Sequence, residues 1–203
     1  RKGVYGGHTV QIIPHVTNEI KKSIARNAET DADVCFVEIG GTIGDIESQP
    51  FLEAIRQFSV EYGRENCLFI HVTLVPYLAA SDELKSKPTQ HSVKEMLSIG
   101  IQPDIIVCRT EHPLNNEIKA KIALFCNVAP DCVIENNNCD ILYAVPMMLK
   151  NEGLDTVAIR KLGLECSEPD LKDGTEMLDA LRNPVQTVKI AMVGKYVELH
   201  DSY

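Results

Sequence analysis

Short apolar runs separated by amphipathic segments make up most of the chain. Continuous apolar runs predict buried strands at residues 34–39 (VCFVEI), 67–75, 104–108 and 188–193, with a shorter candidate at 132–134. Most of these runs do not alternate with polar residues. Such continuous runs are typical of strands in a sheet that is covered on both faces.

Helical spacing appears between the predicted strands. Apolar residues three or four positions apart predict four helices, marked by Ile20 and Ile24, by Leu52, Ile55 and Phe58 after Pro50, by Val93, Met96 and Leu97, and by Ile118, Ile122 and Phe125. Pro50 is suited to the first turn of its helix. Alternating strands and helices predict an α/β fold with a parallel sheet and right-handed crossovers.

The last part of the chain has a different pattern. Residues 162–184 are acidic and contain no strong strand pattern, and a strand pattern returns at 188–193. We therefore interpret residues 1–161 as one domain, 162–185 as a linker, and 186–203 as the start of a further domain.

Composition narrows the possible partners. The formal net charge of −9 over 203 residues disfavours nucleic acid, which requires a basic surface. No apolar run approaches the roughly 18 residues of a membrane span, so we expect no membrane partner. The seven cysteines include no C-x-x-C pair, which disfavours zinc and is typical of free thiols in a cytoplasmic protein.

The segment 38–48 (EIGGTIGDIES) joins a predicted strand to a predicted helix. Ligands of parallel α/β sheets bind beyond the carboxyl ends of strands, and glycines allow a close backbone approach. The carboxylates of Glu38, Asp45 and Glu47 are suited to Mg²⁺ that carries nucleotide phosphates. The alternative is a glycine turn with solvated acidic side chains.

The segment 85–90 (KSKPTQ) contains two lysines before a proline-threonine pair. Because Pro88 disfavours helix at Lys87, we expect an extended segment in which Lys85 and Lys87 point to one side. Two ammonium groups together suit a triphosphate. Thr89 is expected to cap a helix that begins near His91. The alternative is an exposed polar loop.

Lys121 and Phe125 lie one turn apart on the fourth predicted helix, where they could contact a phosphate and a base. The alternative is a surface lysine and a core phenylalanine.

Two motifs are absent from the sequence. It has no G-x-x-x-x-G-K-[ST] phosphate loop and no G-x-C-x-G nucleophile elbow.

Together these segments resemble the CTP synthase family. The matching stretches include HTVQIIPHVTNEI, EIGGTIGDIES, LVPYLAAS, KSKPTQHSVKEMLSIGIQPD, KAKIALFCNV and MVGKYVEL, in family order over nearly the whole chain. The resemblance implies a P-loop NTPase-like amidoligase core. It also implies ATP-dependent amination of UTP to CTP through 4-phosphorylated UTP, with ammonia from glutamine and feedback inhibition by CTP. Mg²⁺ as cofactor and a homotetramer in the cytoplasm are further expectations from the family.

The resemblance also assigns residues. It implies that Glu38 binds Mg²⁺, that the product CTP contacts Asp45, Ile46 and Glu47, and that the UTP or CTP triphosphate site includes Lys85, Ser86, Lys87, Pro88, Thr89, Gln90 and Lys121. Phe125 is expected near the inhibitor's base. Asn137, Asn138 and Cys139 correspond to a segment that contacts the adenine of ATP, where the family often has aspartate at the position of Asn138.

Parts of the family's catalyst are expected outside this sequence. By resemblance, the P-loop and a second Mg²⁺-binding aspartate precede Arg1, and the glutaminase body follows Tyr203. We therefore expect no catalytic residue within the chain and no activity from the chain alone. Two alternatives are a dethiobiotin synthetase-like ligase and a non-catalytic chain that binds CTP or UTP or only assembles.

Overall fold

A computed structural model describes residue 3, residues 5–195 and residue 198, with the backbone alone at residues 28 and 29. The chain forms two compact units, Arg1–Cys166 and Ser167–Tyr203. Helices and strands of the first unit are, in chain order, α1 (Thr17–Ala25), α2 (Gln49–Glu61), β1 (Ile70–Leu74), β2 (Tyr77–Leu78), β3 (Glu83–Leu84), α3 (Lys87–Ser98), β4 (Ile105–Thr110), α4 (Asn116–Cys126), β5 (Val133–Asn137), α5 (Val145–Asn151) and α6 (Leu154–Leu162). The predicted α/β class is confirmed.

The main sheet has the order β1-β4-β5, and both strand pairs are parallel. Val72 faces Val107 across the first pair, and Cys108 faces Glu135 across the second. The strands predicted at 67–75, 104–108 and 132–134 are confirmed, although β5 extends to Asn137. A separate antiparallel hairpin, β2-β3, follows β1.

The central strand β4 packs apolar side chains on both faces of the sheet. Ile106 and Cys108 lie in a core cluster with Val93 of α3 and Ile122 of α4. Ile105 and Val107 lie in a second cluster that includes residues of α5 and α6. Burying one isoleucine side chain stabilises a fold by about 1.5–3 kcal/mol, so β4 anchors the unit.

Strand β1 lies at the edge of this sheet and is covered on one face only. Its Ile70, Val72 and Leu74 share the face of Ile105 and Val107, yet all three remain exposed. Helices α5 and α6 therefore cover this face over β4 and β5 but leave it open over β1. Within the described residues, the outer edge of β1 pairs with no strand.

The strand predicted at residues 34–39 is wrong. These residues form no regular element, and Phe36 is 90% exposed. An apolar run becomes a strand only when the edge of another strand supplies its hydrogen bonds. Among residues 5–195, no strand pairs with this segment.

Helix α3 begins at Lys87, so the predicted extended segment with a helix start near His91 is wrong. Pro88 lies in the first turn, where a helix leaves backbone N–H groups unpaired and therefore tolerates proline. Thr89 is not a cap. Its side chain is buried, and its hydroxyl donates to the carbonyl oxygen of Leu74 at 3.3 Å.

Helices α1, α2 and α4 lie where the sequence predicts helices, whereas α5 and α6 were not predicted. Pro50 lies in the first turn of α2. Helix α4 begins where the Asn115 side chain accepts a hydrogen bond from the Ile118 amide at 2.8 Å, and it ends at Asn127 in the left-handed conformation. Asparagine is favoured at both kinds of helix end.

The second unit contains helix α7 (Lys172–Arg182), which lies within the predicted linker, and Leu178 of that helix is buried. The strand predicted at 188–193 is wrong, because these residues form no strand and Ile190 is largely exposed. Part of the predicted further domain, residues 196, 197 and 199–203, lies outside the described residues. The boundaries at 161 and 185 stay predictions.

Candidate functional site

Three chain segments leave the carboxyl ends of the parallel strands, where ligands of such sheets bind. The hairpin β2-β3 follows β1, a turn through His112 follows β4, and residues 138–140 follow β5. The Val75 amide donates to the Arg109 carbonyl oxygen at 2.8 Å, which holds the start of the hairpin connection beside the end of β4.

The hairpin is fixed against the turn after β4. The Tyr77 ring lies 3.9 Å from the His112 ring, measured between centroids. The Tyr77 hydroxyl donates to Asp82 Oδ1 at 2.6 Å, and the Lys85 amide donates to the Pro76 carbonyl oxygen at 2.9 Å. Lys85 therefore has a defined position at the base of the hairpin.

Lys85 and Lys121, which come from separate predicted segments, both act on the carboxylate of Glu83. The Glu83 Oε1 atom accepts hydrogen bonds from Lys85 Nζ and from the Ser81 hydroxyl. Hydrogen bonds from Lys85 and Ser81 lower the pKa of Glu83, and the charge of Lys121 lowers it further. Lys85 therefore binds this carboxylate directly, and Lys121 is near enough for its charge to act on it.

The other predicted residues of this site differ in accessibility. Gln90 Nε2 donates to the Ser86 hydroxyl at 3.0 Å across the first turn of α3, which also contains Lys87 and Pro88. Thr89 presents no atom to solvent because it is fully buried. Phe125 is 60% exposed, so the alternative interpretation of this residue as a core phenylalanine is wrong.

Asn137 ends β5, and Asn138 and Cys139 follow it. Arg109, near the end of β4, holds Asn137 and Asn138. Arg109 Nη1 donates to the carbonyl oxygens of Asn136 and Asn137 at 2.9 and 3.1 Å, and Nη2 donates to Asn138 Oδ1 at 2.8 Å. Cys139 is exposed. This segment therefore has a fixed backbone at the same edge of the sheet as Lys85.

A charged cluster beneath this edge joins β5 to two helices. Lys119 Nζ lies 2.7 Å from Glu152 Oε2 and 3.7 Å from Glu135 Oε2. Glu135 also accepts a hydrogen bond from the Leu114 amide at 2.8 Å. These contacts brace the turn after β4 and the end of β5.

The glycine-rich segment 38–48 folds into a turn closed by Asp45. The Thr42 amide donates to Asp45 Oδ2 at 2.9 Å, and the Asp45 amide donates to the Thr42 carbonyl oxygen at 3.0 Å. Gly41 and Gly44 have φ values of +88° and +100°, which glycine adopts readily. Ile46 is 80% exposed, and the side chains of Glu38 and Glu47 are also exposed.

The predicted Mg²⁺ ligand Glu38 fits a role as one ligand among several. Its carboxylate is exposed and of the chemistry that Mg²⁺ prefers. Within the described residues, however, no group of three or more histidine, cysteine, aspartate or glutamate side chains is placed to hold a metal. A complete magnesium site would need ligands from the nucleotide, water or other protein segments.

An open cleft of about 390 Å³ lies beside Glu38. Its walls are mainly apolar and include Val37, Ile39, Phe58, Phe69 and Leu162. An apolar lining offers little to a phosphate group. The cleft is therefore not the place where the predicted triphosphate residues converge.

Sequence reasoning missed two residues of the site, Glu83 and Arg109. Both had a signal. Glu83 lies two positions before Lys85, a spacing that places side chains on the same side of an extended segment. Arg109 comes near the end of a buried apolar run, at the strand end where ligands bind.

Comparison with known proteins identifies the family of the chain. A sequence model of the family described as "CTP synthase N-terminus" matches residues 1–164. The chain belongs to the CTP synthase family. The CTP synthases of Ruminiclostridium cellulolyticum, Clostridium kluyveri and Geobacillus kaustophilus are 60%, 59% and 56% identical to it over its whole length.

The chain spans 38% of the length of these CTP synthases. The activity, substrates and partners of the whole protein are therefore proposals for this chain. Of the helices in the described part of the chain, none is long and apolar enough to cross a membrane.

Proposed function

We propose that this chain forms part of the nucleotide-binding core of a ligase that aminates UTP to CTP, consuming ATP and ammonia from glutamine. The observation that carries the proposal is the pairing of Lys85 with Glu83 within range of the Lys121 charge, in a chain of the CTP synthase family. Two ammonium groups in one place suit the charge of a triphosphate.

The residues of this chain would bind and orient the nucleotides. Phosphoryl transfer to the 4-oxygen of UTP depends mainly on positioning and on charge neutralisation. Lys85 and Lys121 would hold the triphosphate of UTP or of the inhibitor CTP, with hydrogen bonds from Ser86 and Gln90. Lys87, Pro88 and Thr89 would shape the same segment from the first turn of α3.

The remaining assignments concern the inhibitor, ATP and the metal. The exposed turn through Asp45, Ile46 and Glu47 would contact CTP during feedback inhibition, with Phe125 near its base. The adenine of ATP would lie against residues 137–139, in a segment that Arg109 holds through the Asn137 carbonyl oxygen and the Asn138 side chain. Glu38 would be one ligand of Mg²⁺, which when bound supplies positive charge to the phosphates.

We further propose a homotetramer in the cytoplasm, with a glutaminase domain elsewhere in the whole protein. The cytoplasm is supported by the seven cysteines, all of which are free. The tetramer is an expectation from the family.

Calorimetric titration and thermal unfolding with UTP, CTP, ATP and a biotin precursor, each with Mg²⁺, test the proposal. A ligand present at about a hundred times its dissociation constant should stabilise the chain by about 2.7 kcal/mol. We expect responses to UTP and CTP and none to the biotin precursor. A response to the precursor alone would favour a dethiobiotin synthetase-like ligase.

The lysine assignment is tested with matched variants. Lys121→Ala should weaken UTP and CTP binding about ten- to a hundredfold, because one charge-assisted contact is worth about 1.5–3 kcal/mol. Lys94→Ala removes the same charge from an exposed position of α3 and should leave binding within about twofold. Equal losses in both variants, or no binding of either nucleotide to the wild type, would contradict the proposal.

A further inference from the structure

The Glu83 carboxylate is paired with Lys85, one of the residues proposed to bind the triphosphate. Its Oε1 atom accepts from the Lys85 ammonium and, at 3.0 Å, from the Ser81 hydroxyl. The charge of Lys121 acts on the same carboxylate. Glu83 thus has the surroundings of a bound anion, with one hydroxyl donor, one paired cation and a second cation near enough to act on its charge.

The hairpin holds this arrangement in place. Glu83 pairs with Leu78 in the antiparallel ladder, and the backbone of Lys85 is tied to Pro76. Glu83 and Lys85 are two positions apart and on the same side of the strand. Their side chains are 47% and 39% exposed, so a dissolved anion can reach the pair.

We propose that Glu83 is an internal anion that pairs with Lys85 until a polyphosphate displaces it, and that it thereby limits the affinity of the site. The inference depends on the proposed function for the identity of the ligand. A triphosphate carries more negative charge than one carboxylate and can contact Lys85 and Lys121 together, which favours the exchange. The Glu83 side chain then turns toward solvent.

The size of the effect follows from the exposure of the pair. Solvent-exposed ion pairs are weak, so removing this one should tighten polyphosphate binding only about two- to fivefold. Salt screens exposed charges, so the gain should shrink at about 0.5 M salt.

Calorimetric titration of the full chain tests the inference. Glu83→Gln removes the negative charge and keeps the length and an acceptor for Ser81. Glu95→Gln is the matched control, since it removes the same charge from an exposed position of α3. UTP and CTP, each with Mg²⁺, and inorganic tripolyphosphate are titrated at low and high salt. We expect all three to bind about two- to fivefold more tightly to Glu83→Gln than to the wild type and to Glu95→Gln.

The other possible results distinguish failure of the inference from failure of the proposed function. Equal binding to Glu83→Gln and the wild type overturns the inference alone, and weaker binding overturns it by making Glu83 a contact of the ligand or its metal. Tighter tripolyphosphate binding with no binding of UTP or CTP to any variant overturns the proposed function and leaves the inference standing. If none of the three probes binds any variant, both are overturned. Circular dichroism checks that the variants are folded.

Discussion

Arg109 and Asn138 are joined by a hydrogen bond of 2.8 Å from the guanidinium Nη2 to the side-chain oxygen Oδ1. The same guanidinium holds the backbone carbonyl oxygens of Asn136 and Asn137. One side chain at the end of β4 therefore sets the conformation of the segment that follows β5, which is the proposed adenine contact.

Arg109→Lys should loosen this segment. A lysine ammonium keeps the charge but lacks the planar fork that reaches four acceptors. We therefore expect a loss of about 1 kcal/mol of unfolding free energy and faster hydrogen exchange across residues 136–139. Hydrogen-exchange mass spectrometry measures the change. The control is Arg26→Lys at an exposed position of the chain. Unchanged exchange in Arg109→Lys would mean that the guanidinium does not order the segment.

Asn138→Asp should stabilise the chain by about 0.5–1 kcal/mol. The substitution replaces a neutral acceptor by a carboxylate, and charge-assisted hydrogen bonds to arginine are stronger than neutral ones. Urea unfolding measures the gain. The gain should disappear in the background of Arg109→Met, and a gain that persists there would have another cause.

Ile106→Ala should cost about 2–5 kcal/mol of unfolding free energy, because the Ile106 side chain is fully buried where β4 packs against α3 and α4. Ile106→Val removes a single methylene and should cost about 0.5–1.5 kcal/mol. Leu124→Ala, at a residue that is 78% exposed, should stay within about 0.5 kcal/mol of wild type. Urea denaturation followed by circular dichroism gives all three values, and equal losses at residues 106 and 124 would refute the core assignment.

Glu53 should make the unfolding free energy depend on pH, over the range between its ordinary pKa of 4.5 and its lower pKa in the folded chain. Hydrogen bonds from Arg56 and Gln57 and the Arg56 charge lower the pKa of Glu53 to about 2. A lowered pKa stabilises the fold above pH 4.5, and this contribution is lost as the pH falls toward 2. Since the pair is partly exposed, we expect only about 1 kcal/mol.

The measurement for Glu53 is urea unfolding of the wild type and Glu53→Gln from neutral pH to pH 2. The difference between them should shrink as the pH falls. A double-mutant cycle with Arg56→Met should assign most of the difference to the pair. A difference that is independent of pH would count against this ion pair.

The cysteines should fall into two classes of reactivity. The exposed ones are Cys35, Cys139 and Cys166, the buried ones are Cys108, Cys126 and Cys132, and Cys67 is half-buried between the two classes. Burial raises the pKa of Cys108 to about 12 and that of Cys126 to about 11, so both stay protonated near pH 8. Alkylation read by mass spectrometry should label the exposed class first, and urea should make all seven reactive.

Cys35 is the most informative of these thiols. The sequence pattern places it in a buried strand, whereas the structure exposes it. Slow alkylation of Cys35 in the native chain would favour the sequence prediction over the observed fold.

Hydrophobic pattern was sufficient for the elements that bury both faces. Strand β4 reads as a continuous apolar run because Ile105 and Ile106 point into different clusters. The same rule was wrong at residues 34–39, since apolar character does not reveal whether a strand edge is available. The hairpin β2-β3 was missed because strands of two residues leave no periodic pattern.

The candidate site was predictable in its motifs and not in its contacts. The segments that contain Lys85 and Lys121 could be recognised from the sequence. The pairing of Lys85 with Glu83, within range of the Lys121 charge, depends on how the hairpin folds near α4. The predicted start of α3 was wrong because proline has two opposing effects. Pro88 disfavours helix at the residue before it, but a first helical turn tolerates proline, and the second effect decides the structure here.

The uncovered strand β1 has a consequence for handling the chain in solution. Within the described part of the chain its outer edge pairs with no strand, and Ile70, Val72 and Leu74 beside it are exposed. Such an edge can pair with strands from other molecules. Samples should therefore scatter more light as they are concentrated, and a lysine substituted at Val72 should improve their solubility. This edge would cause folded molecules to associate, so aggregation would limit the usable concentration before unfolding did.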